Sequence, residues 1–121
     1  MNPVNLFFSC DDAYLPFLSV TLDSLKENCD PTRIYAVRVL HTGLRGDYMQ
    51  RLKDAFHEPR FQVAFVDVTP AVARIARQLH TRDYYSKSTY YRMFIPELFP
   101  QLDKALYLDS DLLVRGNIAE L

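Results

Sequence analysis

Lys104-Ala105-Leu106-Tyr107-Leu108-Asp109-Ser110-Asp111-Leu112-Leu113-Val114 sets two carboxylates, one residue apart, inside an apolar stretch near the end of a 121-residue chain. The run up to Leu108 reads as a buried strand, and Leu112-Leu113-Val114 resumes the apolar pattern. Acids placed between two buried segments carry a desolvation cost unless something compensates their charge. No basic residue is adjacent, so a hard divalent cation is the natural compensator for Asp109 and Asp111. The plainer alternative is that Asp109 ends a strand and Asp111 caps a turn, both in water, since Asp-x-Asp alone is a weak motif. In open α/β sheets, however, ligands gather beyond the carboxyl ends of strands, where these acids fall.

Upstream, the pattern supplies the rest of such a sheet. Val4 to Ser9 is a short apolar run suited to a buried strand. Asp11-Asp12 then offers a carboxylate cap, and Leu15, Leu18, Leu22, Leu25 and Cys29 form one helical stripe, with Pro16 tolerated in the first turn. Arg33 to His41 reads as a second strand, with Tyr35, Val37 and Val39 on one face and Ile34, Ala36 and Leu40 on the other. Two apolar faces mean a sheet covered on both sides. A second helix carries Tyr48, Leu52, Ala55 and Phe56 and stops near Pro59. Phe61 to Val66 is a third strand. Thr69-Pro70 starts a third helix, as a capping hydroxyl before a proline, with a stripe of Val72, Ile75, Ala76 and Leu79. Strand and helix alternating in this way predict an α/β fold: a doubly wound, mainly parallel sheet with helices on both faces. No repeat, low-complexity tract or linker divides residues 1–121, so they read as a single domain unit.

Residues 81–100 are less regular and rich in tyrosine: Tyr84, Tyr85, Tyr90 and Tyr91. Ser88 is placed to cap a short helix through Phe94. Arg92 on that helix is either a surface arginine lying over tyrosine rings or a guanidinium facing a carboxylate or phosphate across the sheet end.

Composition narrows the class of protein. Apolar residues make up 49% and charged residues 24%, the proportions of an ordinary globular domain. A net charge of −1 without a basic run gives no reason to expect nucleic acid or an anionic membrane as partner. No segment reaches the roughly 20 apolar residues of a transmembrane span, and the N-terminus lacks a signal-peptide pattern. The two cysteines, Cys10 and Cys29, match no metal or redox spacing, which makes a cytoplasmic setting the default.

If the first and last strands run parallel in one sheet, Asp11-Asp12 and Asp109-Ser110-Asp111 project from the same edge. A carboxylate there can accept the imide N–H of a uracil, and Tyr14 can stack on such a base. Only three glycines are present, at 43, 46 and 116, so no glycine-rich loop cradles a diphosphate. A nucleotide diphosphate at this edge would need a cation.

Three ordered segments now carry a resemblance: Phe8-Ser9-Cys10-Asp11-Asp12-Ala13-Tyr14, then Ser88-Thr89-Tyr90-Tyr91-Arg92, then Lys104 to Val114 with Gly116-Asn117-Ile118 behind it. Together they resemble the N-terminal part of a family 8 glycosyltransferase, a GT-A enzyme of the lipopolysaccharide galactosyl- and glucosyltransferase type. The resemblance implies that Asp109 and Asp111 ligate a divalent cation, Mn2+ or Mg2+, on the diphosphate of a UDP-sugar. It implies that Asp11 contacts uracil, with the Tyr14 ring beside it. Ser9 and Cys10 would line the nucleotide through their backbone, Ser110 would sit near the ribose, and Arg92 near the donor. Ala13 departs from relatives that are polar there.

The implied reaction is transfer of a hexose, from UDP-galactose or UDP-glucose, to a hydroxyl of a glycan or lipid-linked acceptor with retention at the anomeric carbon. The family's further metal ligand, a histidine, belongs to sequence beyond Leu121, and His41, His57 and His80 occupy the wrong segments to replace it. The expectation is therefore a truncated domain, cytoplasmic or peripheral to the membrane, that binds cation and UDP weakly, turns over little donor and self-associates through an unfinished sheet edge. Two rivals stand beside it. One is a non-catalytic nucleotide-binding module. The other is a haloacid-dehalogenase-like phosphatase, which also places Asp-x-Asp after a strand. That motif normally opens its fold and has Thr or Val where Leu113 stands here.

Overall fold

β1 (Val4–Ser9) is the hub of a five-stranded sheet ordered β3-β4-β2-β1-β5. The computed structural model describes residues 2–79 and 88–121, apart from the side chains of residues 75–79 and 88–90. Tyr84 and Tyr85, the proposed Ser88 cap, the Tyr90 ring and the Ile75, Ala76 and Leu79 part of the third helical stripe lie outside the described residues. β2 (Tyr35–His41) pairs parallel with β1 and with β4 (Phe61–Asp67), and β5 (Leu106–Tyr107) pairs parallel with the other side of β1. The one antiparallel strand, β3 (His57–Glu58), hairpins onto β4 through Pro59 and Arg60 and was not expected from the sequence.

Alternation along the strands builds a core on each face. Leu6, Phe8, Val37, Val39, Phe61 and Val63 meet α1 (Leu15–Glu27) and α2 (Gly46–Ala55) on one side. Phe7 and Leu40 point the other way, to Val68 just before α3 (Thr69–Leu79), Ala71 on it, and Tyr91 and Phe94 of the 3-10 helix Ser88–Phe94, which leads into α4 (Ile95–Leu98). The expected doubly wound architecture is the one observed. Leu15, Leu18, Leu22 and Leu25 are buried as their stripe requires, and Pro16 sits in the first turn of α1. No helix among the described residues is long and apolar enough to cross a membrane.

Several sequence expectations need correction. The second strand starts at Tyr35, because Arg33 closes a turn onto the carbonyl of Asp30 and Ile34 is exposed. Ala55 is exposed rather than part of the α2 stripe. Thr69 lies within α3, and the carboxylate of Asp67 accepts from its backbone N–H at 2.9 Å, so the cap is an acid. The last strand is two residues long and only half buried, as befits an edge. Leu112 and Leu113 are exposed, so Asp-Ser-Asp is not enclosed between two buried segments and carries little of the desolvation cost expected of it.

Candidate nucleotide-sugar site at the carboxyl edge of the sheet

From β1 the chain moves outward to β2 and β4, then returns across the sheet to place β5 on the opposite side of β1. The strand order therefore reverses between β1 and β5, the switch point where open α/β sheets hold ligands. Leu6 pairs with Leu106 and Phe7 with Tyr107, which carries Asp109 toward the level of Ser9. Leu108 N–H donates to the carbonyl of Phe7 at 2.9 Å, and the Ser110 hydroxyl donates to the carbonyl of Ser9 at 2.5 Å. Ser110 is buried by that bond, while Asp109 and Asp111 on either side are exposed. Both acids thus stand at the switch point on the solvent side of a turn pinned to β1.

The acids after β1 have separate tasks. Asp11 accepts from Tyr14 N–H at 3.1 Å and caps the 3-10 turn Asp12–Tyr14. Asp12 accepts from Arg45 N–H at 3.1 Å, joining the loop after β1 to the loop after β2. Nothing in the local sequence signals that second bond. The Tyr14 ring is exposed and packs at a tilt against Phe17, 5.9 Å between centroids. Cys10 is buried, its N–H bonded to the carbonyl of Leu40. Burial, helped by Asp11 and Asp12, pushes its thiol up to about 12. At about pH 8 a thiol reagent should label the partly exposed Cys29 in the native protein and reach Cys10 only on unfolding. Equal labelling rates, read by mass spectrometry, would contradict this packing.

The Ser9 hydroxyl is buried beside the Tyr107 hydroxyl. Arg92 is exposed on the 3-10 helix over the Phe7 face, and its charge acts on the Tyr107 hydroxyl, which burial raises above the ordinary tyrosine range. Tyr91 beside it is structural, buried with its hydroxyl 2.9 Å from that of Thr42. The edge therefore gathers Ser9, Cys10, Asp11, Tyr14, Asp109, Ser110 and Asp111, with Arg92 approaching from the covering helix.

Farther along the same edge, His41 ends β2 opposite Asp67 of β4. Its Nδ1 accepts from Gly43 N–H at 3.1 Å, and Gly43 holds φ at 150°, a conformation that favours glycine. Burial lowers the imidazole below its ordinary 6.5, with Asp67 pulling weakly the other way. The native state thus binds fewer protons than the unfolded chain below about 6.5. The stability His41 carries is present above that value and lost as pH falls through it. The melting temperature should drop between about pH 7.5 and 5.5, and His41→Asn should flatten the drop. An unchanged slope in the variant would assign the titration to another group.

The glycosyl transferase family 8 model matches residues 5–121. The chain belongs to that family. Its fold is the GT-A fold, superposing on 97% of the chain with the galactosyltransferase LgtC, solved with donor and acceptor sugar analogs, at a TM-score of 0.75, 24% identity and 41% of that chain. The bifunctional glycosyltransferase WbbM superposes on 98% of the chain at a TM-score of 0.83, with 30% identity and 20% of that chain covered. Among curated proteins, the general stress protein A of Bacillus subtilis is 28% identical over 93% of this chain and 40% of its own length. A putative glycosyltransferase of Haemophilus influenzae is 28% identical over 98% of this chain and 34% of its own. The chain spans 10 to 40% of the length of the curated relatives it matches. Family membership removes the phosphatase alternative, whose motif would have to stand on the first strand.

Among the described residues no group of three metal-ligating side chains converges. The donor set still suits a hard cation of a particular kind. Mg2+, and Mn2+ with similar oxygen ligands, is commonly held by one or two carboxylates, with water and substrate phosphate filling the other positions. Asp109 and Asp111 offer such a pair, exposed and uncommitted to any salt bridge among the described residues.

Proposed function

We propose that residues 1–121 form the nucleotide-sugar-binding part of a glycosyltransferase domain that moves a hexose from a UDP-sugar, UDP-galactose or UDP-glucose, to an acceptor hydroxyl on a glycan or lipid-linked sugar. One observation carries the reading: acids on two adjacent parallel strand ends meet at the topological switch point, and the Ser110–Ser9 bond fixes one set against the other. The names of the relatives support sugar transfer, and the reversal of strand order supports a ligand at this edge.

Asp11 would accept from the uracil imide, with the exposed Tyr14 ring beside the base. Ser9 brings a buried hydroxyl, and Arg92 brings a positive charge. Cys10 N–H and the Ser110 hydroxyl are already bonded within the protein, so these two shape the site rather than donate to the ligand. Asp109 and Asp111 would hold Mn2+ or Mg2+, which supplies Lewis-acid stabilisation of the departing diphosphate. In the reaction the bond from the anomeric carbon to the diphosphate oxygen breaks, a bond to the acceptor oxygen forms on the same face, and the acceptor proton leaves. We assign no nucleophile or base. The setting we propose is cytoplasmic, with access to a membrane-borne acceptor.

Calorimetric titration with UDP tests the reading. Binding should appear with Mn2+ and fade without it, and its absence under both conditions would refute the proposal. Two protein carboxylates alone give weak cation binding, so the 121 residues should turn over little donor. Robust sugar transfer by them would overturn that expectation.

A further inference from the structure

Residues 110–114 belong to no strand or helix, and two of their side chains, Leu112 and Leu113, are exposed. Apart from Val114, which packs against the core, apolar burial does not hold this segment against the protein. Hydrogen bonds from α1 do. Thr21, Ser24 and Asn28 recur at three- and four-residue spacing and so share one helix face, distinct from the leucine stripe. The fully buried Thr21 hydroxyl lies 2.8 Å from the carbonyl of Ser110 and 2.6 Å from that of Leu112, its single proton serving both. Ser24 Oγ accepts from Val114 N–H at 2.8 Å and donates to the carbonyl of Thr21 at 2.7 Å. Both protons of the Asn28 amide are used, on the carbonyls of Ser24 and Val114, each at 2.9 Å. From the opposite side Ser110 grips the carbonyl of Ser9.

Loop backbone ordinarily satisfies itself with water. Here the backbone directly following and between the two aspartates is bonded by side chains more than 85 residues away in sequence. We propose that the Thr21–Ser24–Asn28 face of α1 is a positioning device that fixes the Asp109–Asp111 turn for its cation, with Thr21 as its central residue. None of the three touches the ligand. The assignment rests on the reading of Asp109 and Asp111 as cation ligands, and two measurements separate its failure from failure of that reading.

Thr21→Val keeps the shape of the side chain and removes the donor, while Thr21→Ser keeps the donor. Hydrogen exchange of the amides in residues 110–114, without metal, reports the anchoring. The electron paramagnetic resonance signal of free Mn2+, in the presence of UDP, reports cation affinity. Thr21→Val should accelerate exchange in this segment and weaken Mn2+ binding on the order of tenfold, as loss of an outer partner of a metal ligand does, and Thr21→Ser should restore both. Ser24→Ala should act in the same direction, which keeps the test open if Thr21→Val folds poorly. Unchanged exchange in both variants would overturn the anchoring. Faster exchange with unchanged Mn2+ affinity would overturn the positioning role and leave a structural contact. Wild-type protein that binds no Mn2+ would instead refute the cation reading, with the exchange result still standing on its own.

Discussion

Asp109→Asn is expected to remove the metal-dependent part of UDP binding while leaving the fold unchanged. The substitution exchanges one oxygen of a carboxylate for an amide nitrogen, so shape is kept and the charge is lost. A hard cation takes oxygen ligands, and each carboxylate contributes both a ligand and neutralising charge. Substitutions of outer partners alone cost about 10- to 100-fold in metal affinity, so loss of a direct ligand should exceed that range. Asp109 is exposed and makes no hydrogen bond or salt bridge among the described residues, so unfolding free energy should move by less than about 0.5 kcal/mol. Calorimetry with UDP and Mn2+, beside a thermal melt, checks both halves. Metal-dependent binding that survives in both Asp109→Asn and Asp111→Asn would locate the cation elsewhere.

Phe7→Ala should give the largest loss of stability from a single side chain. Phe7 is fully buried at the centre of β1, the strand joining both halves of the sheet. Its ring meets Phe99 edge-on, 5.1 Å between centroids, and the Arg38 guanidinium lies 5.6 Å from the Phe7 ring and 5.0 Å from that of Phe99. Truncation removes the transfer free energy of the ring and leaves a cavity, together about 3–5 kcal/mol. Against a total of roughly 5–15 kcal/mol this approaches unfolding. The melting temperature should fall by roughly 10–25 °C. UDP binding should weaken as well, because Phe7 pairs with Tyr107 and its carbonyl accepts from Leu108 N–H at the start of the acidic turn. A loss below about 1 kcal/mol in urea denaturation would show that the ring is not packed as described. Phe7→Leu, retaining most of the volume, should lose much less.

The elements of this protein were legible because their signals are local. Leu15, Leu18, Leu22 and Leu25 repeat with the period of a helix, and each of the four is buried. Tyr35, Val37 and Val39 alternate with residues of the other face, so a sheet covered on both sides followed before any contact was known. The acids at 11 and at 109 and 111 fall at one edge provided the first and last strands run parallel, as β1 and β5 do. The fold class and the candidate site both came from such periodicities, joined to the three ordered segments that mark the family.

Strand order, by contrast, has no local signature. Only tertiary structure put β5 beside β1, which creates the switch point, and made it a two-residue edge strand with Leu112 and Leu113 in solvent. Two polar roles stayed hidden for a related reason. Asp12 looks like a helix cap but holds the backbone of Arg45, and Thr21, Ser24 and Asn28 look like the solvated face of a helix but hold residues 110–114. A hydroxyl or carboxylate serves water and a distant backbone equally well, so its partner is decided by which segment packs against it. Local residue patterns specify the elements and the chemistry at their ends. The packing of distant segments decided which ends meet and what holds them there, because those contacts depend on long-range chain return rather than on local period.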